Sequence, residues 1–167
     1  ISSCAALVAI GLLVWFVPPP ASEDPVSPVQ PRPRLVACVV DSQDALWNQG
    51  HPVAPAETRL AVGPTTLEQG LLRIRFDAGA DVLLQAPCEF VLESEGRMFL
   101  SSGAASIVVP PSAVGFIVQT PTGIITDYGT EFAVLTRKNG ETETHVYQGK
   151  VSVKSVGAIS EPEKMLE

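Results

Sequence analysis

The chain of 167 residues is long enough for one domain with attachments, and its content of 46% hydrophobic and 17% charged residues excludes disorder over the whole length. Its net charge of -7 is opposite in sign to that of proteins that bind nucleic acid through the phosphates, so we expect no nucleic-acid partner. With only two His and with three Cys far apart at Cys4, Cys38 and Cys88, neither a zinc ribbon nor a redox pair of cysteines is present.

Residues 1–17 carry no charge, and those from Cys4 onward form an almost continuous apolar run. A membrane span needs about 20 residues, and the chain does not begin with Met, so we expect the run to continue upstream of Ile1. The segment is interpreted as the end of a truncated transmembrane helix, with Trp15 and Phe16 near the water interface. The alternative is the core of a signal peptide.

Residues 18–34 are rich in Pro, with seven Pro between Pro18 and Pro33 and few side chains that could be buried. Such a composition favours an extended polyproline II conformation, which behaves as a semi-rigid spacer. We interpret this segment as a stalk. A PxxP ligand for a second protein is the alternative reading of the same prolines.

Residues 35–155 show a period of two, which predicts β-strands. In one run Leu72, Ile74 and Phe76 alternate with Arg73 and Arg75, as in a half-buried strand. Similar runs recur about every ten residues and are separated by turn-forming residues.

The pattern therefore predicts an all-β domain of about ten to twelve short strands, arranged as a β-roll, a solenoid-like fold or a jelly-roll-like sandwich. Asn139-Gly140 predicts a hairpin with a type I′ turn. Residues 41–49 alone show a weak helical pattern, with Asp41 as a cap. Residues 156–167 are interpreted as a tail or linker.

Two groups of side chains could carry chemistry. Glu143, His145 and Tyr147 share one face of a predicted strand, either as an acid–base cluster or, as we favour, as an ordinary exposed face. Asp127 and Glu131 flank Gly129 and could supply oxygens to a calcium ion, but a turn in which Asp127 caps backbone amides is favoured. We therefore predict no catalytic residue, no cofactor and no metal.

Cys38 and Cys88 fall in separate predicted strands. If the domain lies outside the cytoplasm and the two strands are neighbours, these residues could form a disulfide. The alternative is two thiols that pack as small apolar residues.

Three motifs follow one another in the second half of the domain: Thr120-Pro121, Asp127-Tyr-Gly-Thr-Glu-Phe132 and Val146-Tyr-Gln-Gly-Lys-Val151. In this order they closely resemble the FecR protein domain, and the resemblance extends over roughly residues 35–153. The residues that carry it are turn and core residues: Thr120, Pro121, Asp127, Gly129, Thr130, Glu131, Phe132 and Gly149.

The resemblance implies a non-enzymatic regulator in the cytoplasmic membrane, with a single span and its β-domain in the periplasm. Members of the family act on an extracytoplasmic-function sigma factor through a cytoplasmic segment, which is missing here. The expected partners are an envelope protein or transducer, the sigma factor, and the membrane through the N-terminal helix. The alternative function is a cell-surface carbohydrate-binding or adhesion module, although aromatic residues are few.

Overall fold

The computed structural model of the protein describes residues 33–156 and 164–167. The predicted transmembrane helix at residues 1–17 and residues 18–32 of the predicted stalk lie outside the described residues. Within the described part of the chain, no helix has both the length and the apolar character needed to cross a membrane.

The described residues form an all-β fold, as predicted, and the number of strands also agrees with the prediction. One 3₁₀-helical turn, Pro111–Ala113, interrupts the strands. The twelve strands in chain order are β1 (Leu35–Trp47), β2 (His51–Pro52), β3 (Arg59–Ala61), β4 (Gly63–Phe76), β5 (Asp81–Ser94), β6 (Arg97–Val108), β7 (Ile117–Gln119), β8 (Gly123–Asp127), β9 (Glu131–Thr136), β10 (Thr142–Gln148), β11 (Val151–Ser155) and β12 (Lys164–Leu166).

All strands join one mixed sheet in the order β12-β11-β8-β7-β6-β5-β4-β1-β2, with β3 also paired to β1. Strand β6 has two neighbours on its second side, because β7 pairs with its first residues in parallel and β9 pairs with its last residues in antiparallel orientation. Strand β10 extends the sheet beyond β9. All other pairs are antiparallel.

The long strands change register along one line, which we call the fold line and define by Asp44, Gly70, Pro87 and Gly103. Shifts occur near these residues in the pairing of β1 with β4, of β4 with β5, and of β5 with β6. Bulges of this kind bend a strand and increase its twist. The buried side chains on both sides of the line form one hydrophobic cluster, so the bent sheet encloses a single core.

Alternation explains which side chains enter this core. In β5, Val82 and Leu84 are fully buried while Leu83 between them is exposed. Four phenylalanines provide the largest buried side chains, and two of them, Phe76 and Phe116, meet edge to face with ring centroids 4.8 Å apart. Burying each such side chain contributes roughly 1.5–3 kcal/mol, so the alternating strands supply most of the stability of the fold.

The helical pattern predicted for residues 41–49 is wrong, because β1 continues through Trp47. Leu46 pairs with Gln69 and Trp47 with Leu67, so both residues belong to the sheet. The backbone of Asp44 has a φ of 47°, which is incompatible with a right-handed helix and marks the bulge. The apolar residues at the bulge are consecutive in the sequence, and this spacing resembles the apolar pattern of a helix.

The hairpin predicted at Asn139-Gly140 joins β9 to β10, but its turn is not type I′. Only Gly140 has a positive φ, of 87°. The Gly140 N–H donates to the Arg137 carbonyl and the Arg137 N–H donates to the Glu141 carbonyl, both at 2.8 Å. This is the pattern of a three-residue hairpin with a glycine bulge.

Part of the segment predicted as a tail adds a strand to the sheet. Lys164–Leu166 form β12, which pairs with β11 from Val151 to Val153. Lys150 and Glu167 form an ion pair beside this strand.

Cys38 and Cys88 do not form the disulfide that was one alternative, and both thiols are free. Cys38 lies opposite Arg75 and Cys88 opposite Leu67, so about 26 Å of strand β4 separates the two positions at 3.3 Å per residue. Disulfides need Cα atoms within about 7 Å of each other. Burial, assisted by Glu89, raises the pKa of Cys88 to about 12, so this thiol packs as an uncharged core residue.

Candidate functional site

The residues that carry the family resemblance lie in and around three turns of the second half of the domain. Thr120 and Pro121 lie in the turn between β7 and β8, which we call the Thr turn. Residues 127–130 form the turn between β8 and β9, which we call the Asp turn. Gly149 lies in the turn between β10 and β11. Glu131 and Phe132 begin β9, where Phe132 is fully buried and Glu131 is exposed.

The Asp turn is organised by the buried carboxylate of Asp127. It accepts a hydrogen bond of 2.7 Å from the Gly129 N–H and contacts the hydroxyl of Thr130. The Thr130 hydroxyl also lies 3.0 Å from the Lys150 carbonyl oxygen. The carboxylate therefore caps its own turn, which is the arrangement that the turn interpretation of this segment requires.

Gly149 allows the Asp turn to approach the turn between β10 and β11. Its φ is 91°, and a Cβ at this position would lie 2.8 Å from the carbonyl oxygen of Gly129 and 2.9 Å from Thr130 Cγ2. The Tyr128 N–H donates to the Lys150 carbonyl at 3.2 Å across the same contact. A side chain at position 149 would separate the two turns, so glycine is required there.

Three threonine hydroxyls connect the Thr turn to the hairpin between β9 and β10. The Thr142 hydroxyl donates to the Thr120 hydroxyl at 3.1 Å, and the Thr122 hydroxyl donates to the Gly140 carbonyl at 2.8 Å. Thr120 in turn accepts from the Gly123 N–H at 3.0 Å. Both ends of β8 are thus fixed by turn-to-turn contacts, which gives this half of the domain a defined shape.

The residues considered for acid–base chemistry lie on the exposed strand β10. Arg137 binds one oxygen of Glu143 at 2.6 Å, and His145 Nε2 lies 3.6 Å from the other. The hydrogen bond from Arg137 is the main cause that lowers the pKa of Glu143, which makes this carboxylate a weak base. Tyr147 is exposed, and the arrangement is that of a solvated strand face with an ion pair.

The residues considered for calcium do not converge. The carboxylate of Asp127 is occupied within its own turn, whereas the side chain of Glu131 is exposed on β9. Within the described ranges, no group of three or more His, Cys, Asp or Glu side chains is placed to hold a metal ion.

A cavity of about 700 Å³ lies beside the fold line, where β4, β5 and β6 change register and β9 ends. Its walls include Leu67, Pro87, Cys88 and Leu135. Thr136 also lines it, and its hydroxyl is buried without a hydrogen-bond partner in the described part of the chain. Sequence reasoning missed this cavity because its walls come from four strands that meet only in the folded sheet.

Exposed apolar side chains surround the Asp turn. Val108, Val114 and Tyr128 are 49%, 51% and 51% exposed, and we call these three residues the turn patch. Val108 pairs with Glu131, and Val114 Cγ2 would lie 3.5 Å from a Cβ on Gly129, so all three residues adjoin the same turn. No pattern in the sequence predicted the patch, because Val108 and Val114 reach the turn through strand pairing and a loop.

The buried position of Asp127 predicts a pH effect on stability. Burial raises its pKa, although the N–H groups of Gly129, Thr130 and Tyr128 oppose this. The Thr130 hydroxyl has one hydrogen and cannot donate it to both the Asp127 carboxylate and the Lys150 carbonyl. A protonated Asp127 can donate to the Thr130 oxygen, which leaves the Thr130 hydrogen for the Lys150 carbonyl. A group whose pKa is raised by folding stabilises the fold at low pH, and this contribution is lost as the pH rises through the folded pKa.

We therefore expect the difference in free energy of unfolding between the natural protein and Asp127→Asn to be larger at about pH 3.5 than at about pH 7. Urea denaturation of both proteins at the two pH values measures this difference. The other titrating groups are common to both proteins and cancel. A difference that grows with pH would show that the carboxylate is stabilised as an anion.

Comparison with known protein families finds a match to one family. The family model described as FecR protein matches residues 65–152, slightly more than half of the chain. The matched residues run from β4 to β11 and include both turns described above and Gly149. The chain matches no curated protein and no solved structure at a significant level.

Proposed function

Because the chain belongs to the FecR protein family, we propose that it is the extracytoplasmic part of a membrane-anchored regulator, which controls a sigma factor through protein contact and without catalysis. In this proposal residues 1–17 are the end of a single transmembrane helix in the cytoplasmic membrane. Residues 18–34 are the stalk, and the β-domain lies in the periplasm. A cytoplasmic segment upstream of residue 1 acts on the sigma factor.

The observation that carries the proposal is that the motif residues hold turns together. Asp127, Thr130 and Gly149 join two turns, and Thr120 joins two others, so the family motifs specify a shape. The Glu143 carboxylate is paired with Arg137, and it lies with the His145 imidazole on a solvated strand face rather than in a cleft. A domain in which the motifs build a rigid surface is suited to recognising another protein.

The turn patch is the part of this surface that we assign to the partner. Its three side chains are large and apolar, and they stand on the turn that the motif holds in place. Apolar groups clustered on a surface are typical of protein contact sites, and aromatic residues such as Tyr128 contribute strongly to them. Glu131 beside the patch favours a partner with a positive charge at its rim.

The proposed stalk connects the β-domain to the proposed transmembrane helix. Its Pro-rich composition favours a semi-rigid spacer. In this proposal a semi-rigid stalk passes a displacement of the domain to the helix better than a flexible one.

The experiment compares two double variants of the full-length protein in its own cells. Val114→Ser with Tyr128→Ala changes the turn patch. Leu35→Ser with Val62→Ser changes two other exposed apolar residues, 43% and 39% exposed, and is the matched control. We expect the patch variant to lose about tenfold in signal-dependent transcription from sigma-factor promoters, because loss of an interface anchor costs about 1.4 kcal/mol or more.

Protein levels and thermal unfolding of both variants confirm that the domain remains folded. Unchanged sigma-dependent transcription after deletion of the whole β-domain would overturn the regulatory function. Equal signal-dependent transcription in the two double variants would leave the regulatory function standing but would show that the turn patch is not the contact site.

A further inference from the structure

Strand β10 is an open edge of the sheet. It has seven residues and pairs with β9 on one side, and no described strand pairs with its other side. The other strands with one paired side, β2, β3 and β12, have only two or three residues each. Within residues 33–156 and 164–167, β10 is thus the one long edge that can accept another strand.

The hydrogen bonds of the neighbouring strands fix which backbone groups of β10 are free. The Arg137 N–H donates to the Glu141 carbonyl, and residues of an antiparallel pair alternate between bonded and non-bonded positions. Glu143 and His145 are therefore bonded to β9. Thr142, Thr144 and Val146 direct their N–H and C=O groups to the open side.

The pairing of β9 with β6 leads independently to the same assignment of bonded and free residues in β10. The Val109 N–H donates to the Thr130 carbonyl, so the even-numbered residues of β9 bond to β6 and its odd-numbered residues bond to β10. Glu143 pairs with Leu135 and His145 with Ala133, both odd-numbered. The free groups at Thr142, Thr144 and Val146 follow from either argument.

The open side of β10 lacks most of the usual protection against strand addition, and the register shift of β10 lies at its end, between Val146 and Gln148. Natural edge strands are protected by Lys, by Pro or by very short length, and β12 has both a Lys and a length of three residues. Strand β10 has no Lys, Arg or Pro, and its Thr, Val and Tyr residues favour extended structure.

The order of side chains along β10 is complementary to a second copy of itself. In an antiparallel pair centred on Thr144, the two Thr144 residues face each other and Glu143 faces His145 of the other copy, twice by symmetry. Arg137 binds one oxygen of Glu143, and the second oxygen lies 3.6 Å from His145 of the same copy. That distance is too long for a hydrogen bond, so the second oxygen can still accept one from the imidazole of the other copy. Thr142 then faces Val146, so no like charges oppose each other among these pairs.

We propose that the protein forms a symmetric dimer by antiparallel pairing of β10 with β10 of a second copy, centred on Thr144. Three residues on each copy supply the backbone hydrogen bonds, and the two Glu143–His145 pairs fix the register. The interface is self-complementary, as a twofold axis requires. A single strand pair buries a small area, so the expected dissociation constant lies in the micromolar range.

The first test is the oligomeric state of the full chain in detergent, measured by sedimentation up to about 500 µM. We expect a reversible dimer. Thr144→Pro removes an N–H that points to the open side and leaves the ladder with β9 intact, so we expect a folded protein that dimerises at least tenfold more weakly. His145→Pro, which removes an N–H bonded to β9, is the comparison in which the hairpin itself is disrupted.

The second test addresses the register through charge. His145→Glu places a carboxylate opposite Glu143 of the other copy, so we expect dimerisation to weaken at least tenfold. Adding Glu143→His to this variant exchanges the two side chains and is expected to restore the dimer.

A chain that remains monomeric at every concentration overturns the proposal. A dimer that is unaffected by Thr144→Pro overturns the β10 interface, and one that responds to Thr144→Pro but not to His145→Glu overturns the Thr144-centred register. These measurements use purified protein and do not depend on the proposed regulatory function.

Discussion

Gly70→Ala is expected to lower the free energy of unfolding by about 3 kcal/mol, the sum of left-handed backbone strain and overpacking. Gly70 lies on the fold line with a φ of 80°, and a Cβ there would come closer than 3.0 Å to the carbonyl oxygens of Gln43 and Asp44. Both contacts are with backbone atoms of β1, which cannot move aside without breaking the pairing of β1 with β4.

Gly50→Ala is the matched control, because Gly50 has a φ of 79° and no atom lies within 4 Å of a Cβ at that position. The control carries the same backbone strain without the steric overlap, so we expect it to cost about 1 kcal/mol. Urea denaturation of both variants measures the two losses. Equal losses would mean that the approach of β1 to Gly70 does not limit the fold.

Phe132→Ala is expected to lower the free energy of unfolding by about 4 kcal/mol. Phe132 is fully buried in the core, where it lies at the start of β9 between Ile107 of β6 and Val146 of β10. Removing the ring leaves a cavity that the rigid strands on either side cannot fill. The affected residue belongs to the family motif, so the same substitution tests how far the motif supports the core.

Tyr147→Ala is the control for Phe132→Ala, since Tyr147 is an aromatic residue of the neighbouring strand that is 66% exposed. We expect its unfolding free energy to change by less than about 0.5 kcal/mol. Thermal and urea unfolding give both values. A loss below about 1.5 kcal/mol for Phe132→Ala would show that the core around β9 is loosely packed.

The all-β fold could be predicted because alternation is a local property of the sequence. Side chains at Leu72, Ile74 and Phe76 are buried and Arg73 and Arg75 are exposed, as the period of two requires. The same local information identified the hairpin at Asn139-Gly140. Its turn type was predicted wrongly because a two-residue and a three-residue loop place a glycine at the same point of the sequence.

The fold line could not be predicted, because a bulge inserts a residue and reverses the alternation. In β4 the buried positions change from odd-numbered Leu67 to even-numbered Leu72 across Gly70. In β1 a similar irregularity at Asp44 suggested a helix where the strand continues. The separation of Cys38 from Cys88 could not be predicted either, since it depends on the register of both strands with β4.

The family motif includes the turn residues described above, but the contacts that these residues make join distant segments. Asp127 and Gly129 form a local turn that sequence reasoning favoured. The approach of Gly149 to Gly129, and the link from Thr120 to Thr142, join residues about twenty positions apart and require the folded sheet. The turn patch and the open edge of β10 are likewise products of strand order.

The fold line also determines how the domain unfolds. Strands β4, β5 and β6 run through the sheet on both sides of it, so neither side can detach without breaking strands that the other side needs. We expect amide hydrogens on the two sides to exchange with solvent through the same global unfolding event. Many of the pairings join distant segments of the chain, which predicts folding on the scale of milliseconds to seconds. A partner that contacts one turn of such a domain therefore stabilises the whole of it.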